Sequence, residues 1–578
     1  RERRVTRDDH ALRRRHRQDF HLRLPLEQAV HRLQDRDPQI EARGDAVGLH
    51  HLPRGEIRQA DMADQPARFQ IRESRHRLAQ RRVGIEPVQV EDIDVIHRQA
   101  LARGVELGKD VLAPRTAGVA RLGGDHQPVA LRGGKAAQKG LGRAVGIKMR
   151  GVEMGDARIY AGIEHGARRG LVRRAADYGV EVGDVSVDMN TVRQRKRDIV
   201  ESFRAGSRSS VEGTDGLDLI EGTGRFLDAH TVAVDRNDGG TRTLTADRIV
   251  INTGARPVVP PIDGLDAVDF LTSTSIMELD RVPNHLLILG GGYIGLEFGQ
   301  MFRRFGAEVT IVDRGPHVLG REDDDVAEAL EGILREDGLR MLNDTGMTGV
   351  SQAADGTLTA HLDGDDAPDT IEGDELLVAA GRRPNSDTLD LDATGVETDD
   401  QGFVETDEYL RTTADDIWAL GDIVGEYLLK HSANHEAQAV ARNIFSDDPQ
   451  PVDYTAMPFA VFASPEVAGV GAREEELREA GEEYATRTYQ YDQTARGSAM
   501  KADGFLKAII DLDGNILGCH IIGPDASTLI QEVVVAMKTG SGTVRDIRQS
   551  VHIHPALSEV VQRGFSGRFS RGGDGHSH

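Results

Sequence analysis

The sequence predicts an α/β protein, and three observations lead there. Residues 286–313 run from an apolar strand through a glycine-rich turn and a helix into a second apolar strand. Other short apolar strands end in turn residues: "RIVINTG" (248–254), "LLVAAGRRPN" (376–385) and "IWALGD" (417–422). From Tyr454 onward the texture shifts to strands mixed with helices, which suggests a separate α+β unit.

The chain has 578 residues, length enough for several domains. Its net charge of −24 hides a split. Residues 1–170 carry 34 Lys and Arg against 23 Asp and Glu, whereas the remainder carries 37 against 72. The basic segment holds three aromatics (Phe20, Phe69, Tyr160) and shows no sustained period of either kind, so it reads as a low-order or mistranslated extension without a recognisable fold. No helix-turn-helix, zinc-finger spacing or RNA-binding aromatic motif accompanies its arginines, which sets nucleic-acid binding aside. The acidic balance of the remainder suits a cytosol of high ionic strength, and the expectation is a cytoplasmic protein from a salt-loving source. No run of 18 apolar residues predicts a membrane span. A lone Cys519, read as a core thiol, excludes an internal disulfide and a multi-cysteine metal site, and His576 and His578 lie in a Gly/Ser context too flexible to hold an ion. No metal is expected.

The ordered part begins near Asp177. A helical pattern starts around Ile199, residues 219–234 read as two strands around a turn, and 248–264 as a buried strand with a proline-rich crossover. The strongest signal is "LLILGGGYIGLEFGQMFRRFGAEVTIVDR" (286–314), with Gly290-x-Gly292-x-x-Gly295 opening a helix. Gly290 permits the tight turn, Gly292 lets backbone approach a pyrophosphate, and Gly295 lets helix and strand pack closely. The helix start then faces phosphate charge. Asp313 closes the second strand 23 positions after Gly290, where a carboxylate can bind ribose hydroxyls. On charge grounds it favours NAD, while Arg314 keeps NADP open.

With "INTGARPVVPPIDG" (251–264), "AAGRRPN" (379–385), "IWALGD" (417–422) and "HIHPALSEVV" (552–561), this fingerprint resembles the pyridine nucleotide-disulfide oxidoreductases over roughly residues 171–566. The resemblance implies Rossmann-type FAD- and NAD(P)-binding domains followed by an α+β dimerisation domain, with FAD and NAD(P)H as cofactors and a homodimer as the working form. It divides the chain into 171–280 (partial FAD domain), 281–383 (NAD(P) domain), 384–450 (second FAD segment), 451–566 (dimerisation domain) and 567–578 (flexible tail). By resemblance, Thr253 and Gly254 mark the handover from the first flavin section, and Gly381 closes a turn over the dinucleotide. Gly421 and Asp422 meet the flavin ribityl chain. Tyr293, beside Ile294, covers the flavin ring, and Glu297 is a carboxylate near its N5 edge, normally paired with a lysine from the region missing here. His554 and Glu559 resemble the acid–base dyad that reaches into the partner subunit, with His552 in support.

The strings 427–443 and 554–561 look closest to reductases of small thiol disulfides such as mycothione or bis-γ-glutamylcystine. Dihydrolipoyl dehydrogenase and mercuric reductase are the alternatives, and a dinucleotide-binding dimer without activity is the non-enzymatic one. The family's first flavin-binding turn and Cys-x-x-x-x-Cys helix have no counterpart in this sequence, so the FAD domain is expected to be incomplete and disulfide reduction impaired.

Overall fold

The computed structural model describes residues 144–147 as backbone, then 170, 172 and 174–572; the rest of the basic segment, His576 and His578 lie outside the described residues. Two parallel sheets carry the nucleotide-binding architecture. In the first, Arg248–Ile251 lies between Ala144–Ile147 and Ile417–Ala419, parallel to both. In the second, the order is Glu375–Val378, His285–Leu289, Glu308–Val312 and Arg340–Leu342, again all parallel. These strands read as continuous apolar runs because both faces of a parallel sheet are covered. Leu286, Leu287 and Ile288 are indeed wholly buried.

Each parallel sheet is accompanied by a three-stranded antiparallel meander. The first uses Gly222–Asp228, Thr231–Arg236 and Thr241–Thr245, adding a third strand to the pair expected from sequence. The second uses Gly346–Gln352, Leu358–Asp363 and Thr370–Gly373. A small ribbon pairs Ala255–Pro257 with Arg382–Pro384, so the crossovers leaving both parallel sheets meet.

Two local differences from the sequence reading have simple causes. The helix expected around Ile199 spans Met189–Glu212, beginning where Asp188 accepts hydrogen bonds from the Asn190 and Thr191 N–H groups. Its first turns are polar, so the apolar period that reveals a helix only appears later. The strand Ala144–Ile147 lies inside the segment read as having no fold. Four residues flanked by Gly, Arg and Lys are too few to show a period, and only pairing with Arg248–Ile251 makes them a strand.

The C-terminal sheet has six antiparallel strands in the order Pro458–Val461, Glu466–Gly471, Ile516–Gly523, Phe505–Ile510, Ala485–Gln490 and Ser570–Arg571. The last of these falls within the stretch expected to be a flexible tail. Cys519 is completely buried in this sheet, as a core thiol should be. Among the described residues no helix is long and apolar enough to cross a membrane.

A buried ionic joint ties this sheet to the second parallel sheet's unit. Lys507, 4% exposed, lies 3.0 Å from Asp323, 2.9 Å from Asp325 and 2.7 Å from Glu474. On the neighbouring strand, His520 Nδ1 sits 2.9 Å from Glu322. Burial works against both cations, but the carboxylates prevail and hold Lys507 and His520 above their ordinary values. For Asp323 burial pushes up, yet the Glu475 and Glu474 N–H groups and Lys507 hold it below the usual carboxylate value.

Lys507→Met should therefore strand buried carboxylates and cost about 3–5 kcal/mol in urea unfolding. A raised His520 value means that its stabilisation is complete below pH 6.5 and lost as pH rises through the raised value. The Asp323 contribution is complete above pH 3.8 and lost on acidification. Urea midpoints measured across pH should show both losses, and His520→Gln should remove the alkaline one.

Candidate functional site

At the end of strand His285–Leu289 the chain turns at Gly290, whose φ is +112°. A Cβ there would lie 2.5 Å from the Ala379 carbonyl oxygen, so the turn requires glycine. Helix Tyr293–Phe305 begins immediately after Gly292, and no side chain caps its start. A helix start without a side-chain cap directs its positive dipole end at whatever anion lies beyond Gly292. Among the described residues nothing lies within 4 Å of a Cβ built on Gly292, so that side is open. At Gly295 the opposite holds: a Cβ would be 2.0 Å from the Gly290 oxygen. One glycine thus leaves room for a ligand and the other for packing.

Asp313 ends strand Glu308–Val312 beside this loop. Its carboxylate accepts the Gly291 N–H at 2.6 Å and the Gly315 N–H at 2.7 Å. It braces the glycine turn as well as ending the strand, a contribution that spacing alone did not reveal. Ile294 is half-buried and packs on the core of this unit. Gly381, at φ +122°, follows the adjacent strand Glu375–Val378 and also has open space at its Cβ position, with only Val258 among the described residues, at 3.9 Å. The open glycines, a helix start with no side-chain cap and the acidic strand end fit a nicotinamide dinucleotide.

The other parallel sheet presents a second set of strand ends. After Arg248–Ile251, Thr253 is wholly buried, and its hydroxyl has no hydrogen-bond partner among the described residues. Gly254 turns at φ +67°, and its carbonyl accepts the Asn385 N–H at 3.0 Å. After Ile417–Ala419, Gly421 turns at φ +77° and leads to Asp422, which is 3.6 Å from Arg382. An unsatisfied buried hydroxyl and a carboxylate at adjoining strand ends fit the polar chain of a flavin dinucleotide.

Tyr293 and Glu297 lie on one helix face and line a cavity of about 520 Å³. Its walls also include Lys430, His431, His435, Phe462 and Lys538. Glu297 is buried and accepts the Phe462 N–H at 2.8 Å, which docks the C-terminal sheet against the fingerprint helix. Sequence reasoning missed His431, His435 and Lys538. The two histidines, spaced i and i+4 on helix Lys430–Asn443, were the available signal.

His554 and Glu559 come together as expected, with Nδ1 3.0 Å from each carboxylate oxygen. Hydrogen bonding from His554 is the main cause that holds Glu559 below its ordinary value. His554 is 69% exposed at its side chain while Glu559 is buried, so the imidazole is backed from inside and presented outward. His552 anchors the same segment, 2.6 Å from Glu532. The dyad is not among the residues lining the Tyr293–Glu297 cavity. Among the described residues, no group of three His, Cys, Asp or Glu could hold a metal.

A family model described as pyridine nucleotide-disulphide oxidoreductase matches residues 133–440, and that family's dimerisation-domain model matches 457–564. The first match begins before residue 171 and takes in the strand Ala144–Ile147. The chain is 35% identical to a mercuric reductase of Streptomyces lividans over 68% of its own length and 83% of the relative's. It is 33% identical to a dihydrolipoyl dehydrogenase of Geobacillus stearothermophilus, covering 67% and 82%. Its fold matches the HOCl-induced flavoprotein disulfide reductase RclA of Escherichia coli with a TM-score of 0.66 at 28% identity, covering 74% of this chain and 95% of that one.

Gly292→Ala should leave the melting temperature unchanged but weaken NAD(P)H binding, read by nucleotide fluorescence. Gly295→Ala should lower the melting temperature by several degrees, because the new methyl displaces the Gly290 carbonyl.

Proposed function

The chain belongs to the pyridine nucleotide-disulphide oxidoreductase family, FAD-dependent oxidoreductases that use NAD(P)H, and from that premise we propose that it derives from a reductase of small thiol disulfides. The observation that carries the reading is the pairing of an outward-facing His554 with a buried Glu559 in a domain of the dimerisation type. Thiol–disulfide exchange needs a proton carrier near neutral pH, and an imidazole provides one. Glu559 accepts at Nδ1 and so fixes the tautomer that leaves Nε2 to exchange the proton.

FAD, when bound, supplies the two-electron relay between NAD(P)H and sulfur. This chain's residues bind and orient. The helix start at Gly292 receives the pyrophosphate of NAD(P)H, Asp313 favours a free ribose hydroxyl, and Tyr293 shields the cavity until nicotinamide enters. Thr253, Gly254, Gly421 and Asp422 hold the flavin side. A homodimer completes the site. Val551 and Ile553, which flank His552 with its buried side chain, are 99% and 76% exposed, and a second copy covers them while receiving His554. Ile553→Asp should shift the chain from dimer to monomer in sedimentation without changing its circular dichroism.

The disulfide half of the reaction is impaired in this chain. Its only cysteine, Cys519, is buried in a strand, and burial pushes the thiol far above its ordinary value. The names of the curated relatives favour a second reading, in which the substrate is dihydrolipoamide or mercuric ion. With added FAD, the purified chain should oxidise NAD(P)H with an artificial dye as acceptor. It should show only background turnover of bis-γ-glutamylcystine, mycothione, oxidised glutathione, lipoamide or Hg(II). Brisk turnover of any of these refutes the impairment, and the substrate turned over decides between the readings.

A further inference from the structure

Helix Lys430–Asn443 carries a carboxylate that none of the roles above uses. Glu436 is 0% exposed. An ionised carboxylate so deep is costly unless its oxygens are satisfied. Both are: Oε2 accepts the Gly421 N–H at 2.6 Å, and Oε1 accepts the Tyr454 hydroxyl at 3.1 Å. Gly421 is the left-handed residue at the end of strand Ile417–Ala419, immediately before Asp422. Tyr454 belongs to the segment leading into the C-terminal sheet, and its ring lies 5.2 Å from that of Tyr427 and 6.2 Å from that of His435.

We propose that Glu436 is a positioning residue for the flavin-binding turn, fixing the Gly421 amide, and with it Asp422, from behind while tying that turn to Tyr454. The inference rests on the reading of Asp422 as the flavin ligand. A turn with positive φ at Gly421 has no side chain of its own to hold it in place. The bond from a buried carboxylate sets the direction of the next residue.

The same contact makes the turn sensitive to protons. Burial is the main cause that raises Glu436, to about 7; the Gly421 and Tyr454 bonds oppose the rise, and Asp422 and Glu426 add to it. The titratable groups around it are Asp422 and Glu426 on the turn side and Tyr427, Tyr454 and His435 on the ring side. Above neutrality the ionised carboxylate accepts two hydrogen bonds and holds the turn firmly. Below neutrality the added proton weakens the charge-assisted bond to Gly421.

The test uses the full chain. FAD affinity is titrated by flavin fluorescence from pH 6 to 8.5, beside hydrogen exchange of the 417–424 segment without FAD. The wild type should bind FAD more tightly as pH rises through about 7. Glu436→Gln preserves volume and one acceptor. It should weaken binding about tenfold at pH 8, flatten the pH profile and speed exchange at Gly421. Tyr454→Phe should keep a pH-dependent profile with its midpoint moved upward, because an opposing hydrogen bond is lost. Unchanged exchange in Glu436→Gln overturns the proposal whether or not FAD binds, and so does a wild-type profile retained by that variant. Faster exchange together with no FAD binding at any pH upholds the role in the turn and refutes the flavin reading instead.

Discussion

The contact between Gly295 and the Gly290 carbonyl is the constraint on which the rest of the site depends. Because residue 295 has no side chain, helix Tyr293–Phe305 can start directly over the end of strand His285–Leu289. That placement aims the uncapped helix start at the open side of Gly292. It also puts Tyr293 and Glu297 into the cavity and carries the helix on toward the C-terminal sheet. There Glu297 accepts from Phe462, and Gln300 and Arg304 donate to the Ser464 carbonyl. Moving the helix outward by the width of one methyl group would disturb all of these contacts together, since packed interiors do not absorb such shifts locally.

Buried carboxylates recur where units meet, and their partners explain why they are tolerated. Asp323 is held by two backbone N–H groups and Lys507, Glu322 by His520, and Glu436 by Gly421 and Tyr454. A hydrophobic seam of the same area would hold the units as tightly, but it would fix their register less sharply, because apolar contact is not directional. At Glu436 the partner is the turn proposed to hold the flavin, so on that reading a packing device and a functional one coincide. The abundance of surface acid along the chain does not account for these positions, which are withdrawn from solvent.

The sites differ in how much of them could be read beforehand. Gly290, Gly292, Gly295 and Asp313 lie within one contiguous unit, where each glycine's duty follows from strand, turn and helix geometry, and their spacing was sufficient. His554 and Glu559 were marked by the likeness of their string to the family's, and at five positions apart they meet within one short segment. Glu436, Tyr454, Lys507 and His520 were not. Lys507 stands in the apolar run Phe505–Ile510, where a lone cation hints at a buried partner, but its three carboxylates come from residues 323, 325 and 474. Ala144–Ile147 escaped notice because four small apolar residues carry no period of their own.

By itself the sequence determined the α/β class, the location of the nucleotide fingerprint and the solitary buried thiol. These follow from local rules: periodicity, glycine geometry and short-range spacing act within a few residues. Only the tertiary structure decided which strand ends adjoin, which carboxylates go inside and what satisfies them there. The energy of a buried charge depends on groups distant in the chain, and no local pattern records where those groups arrive.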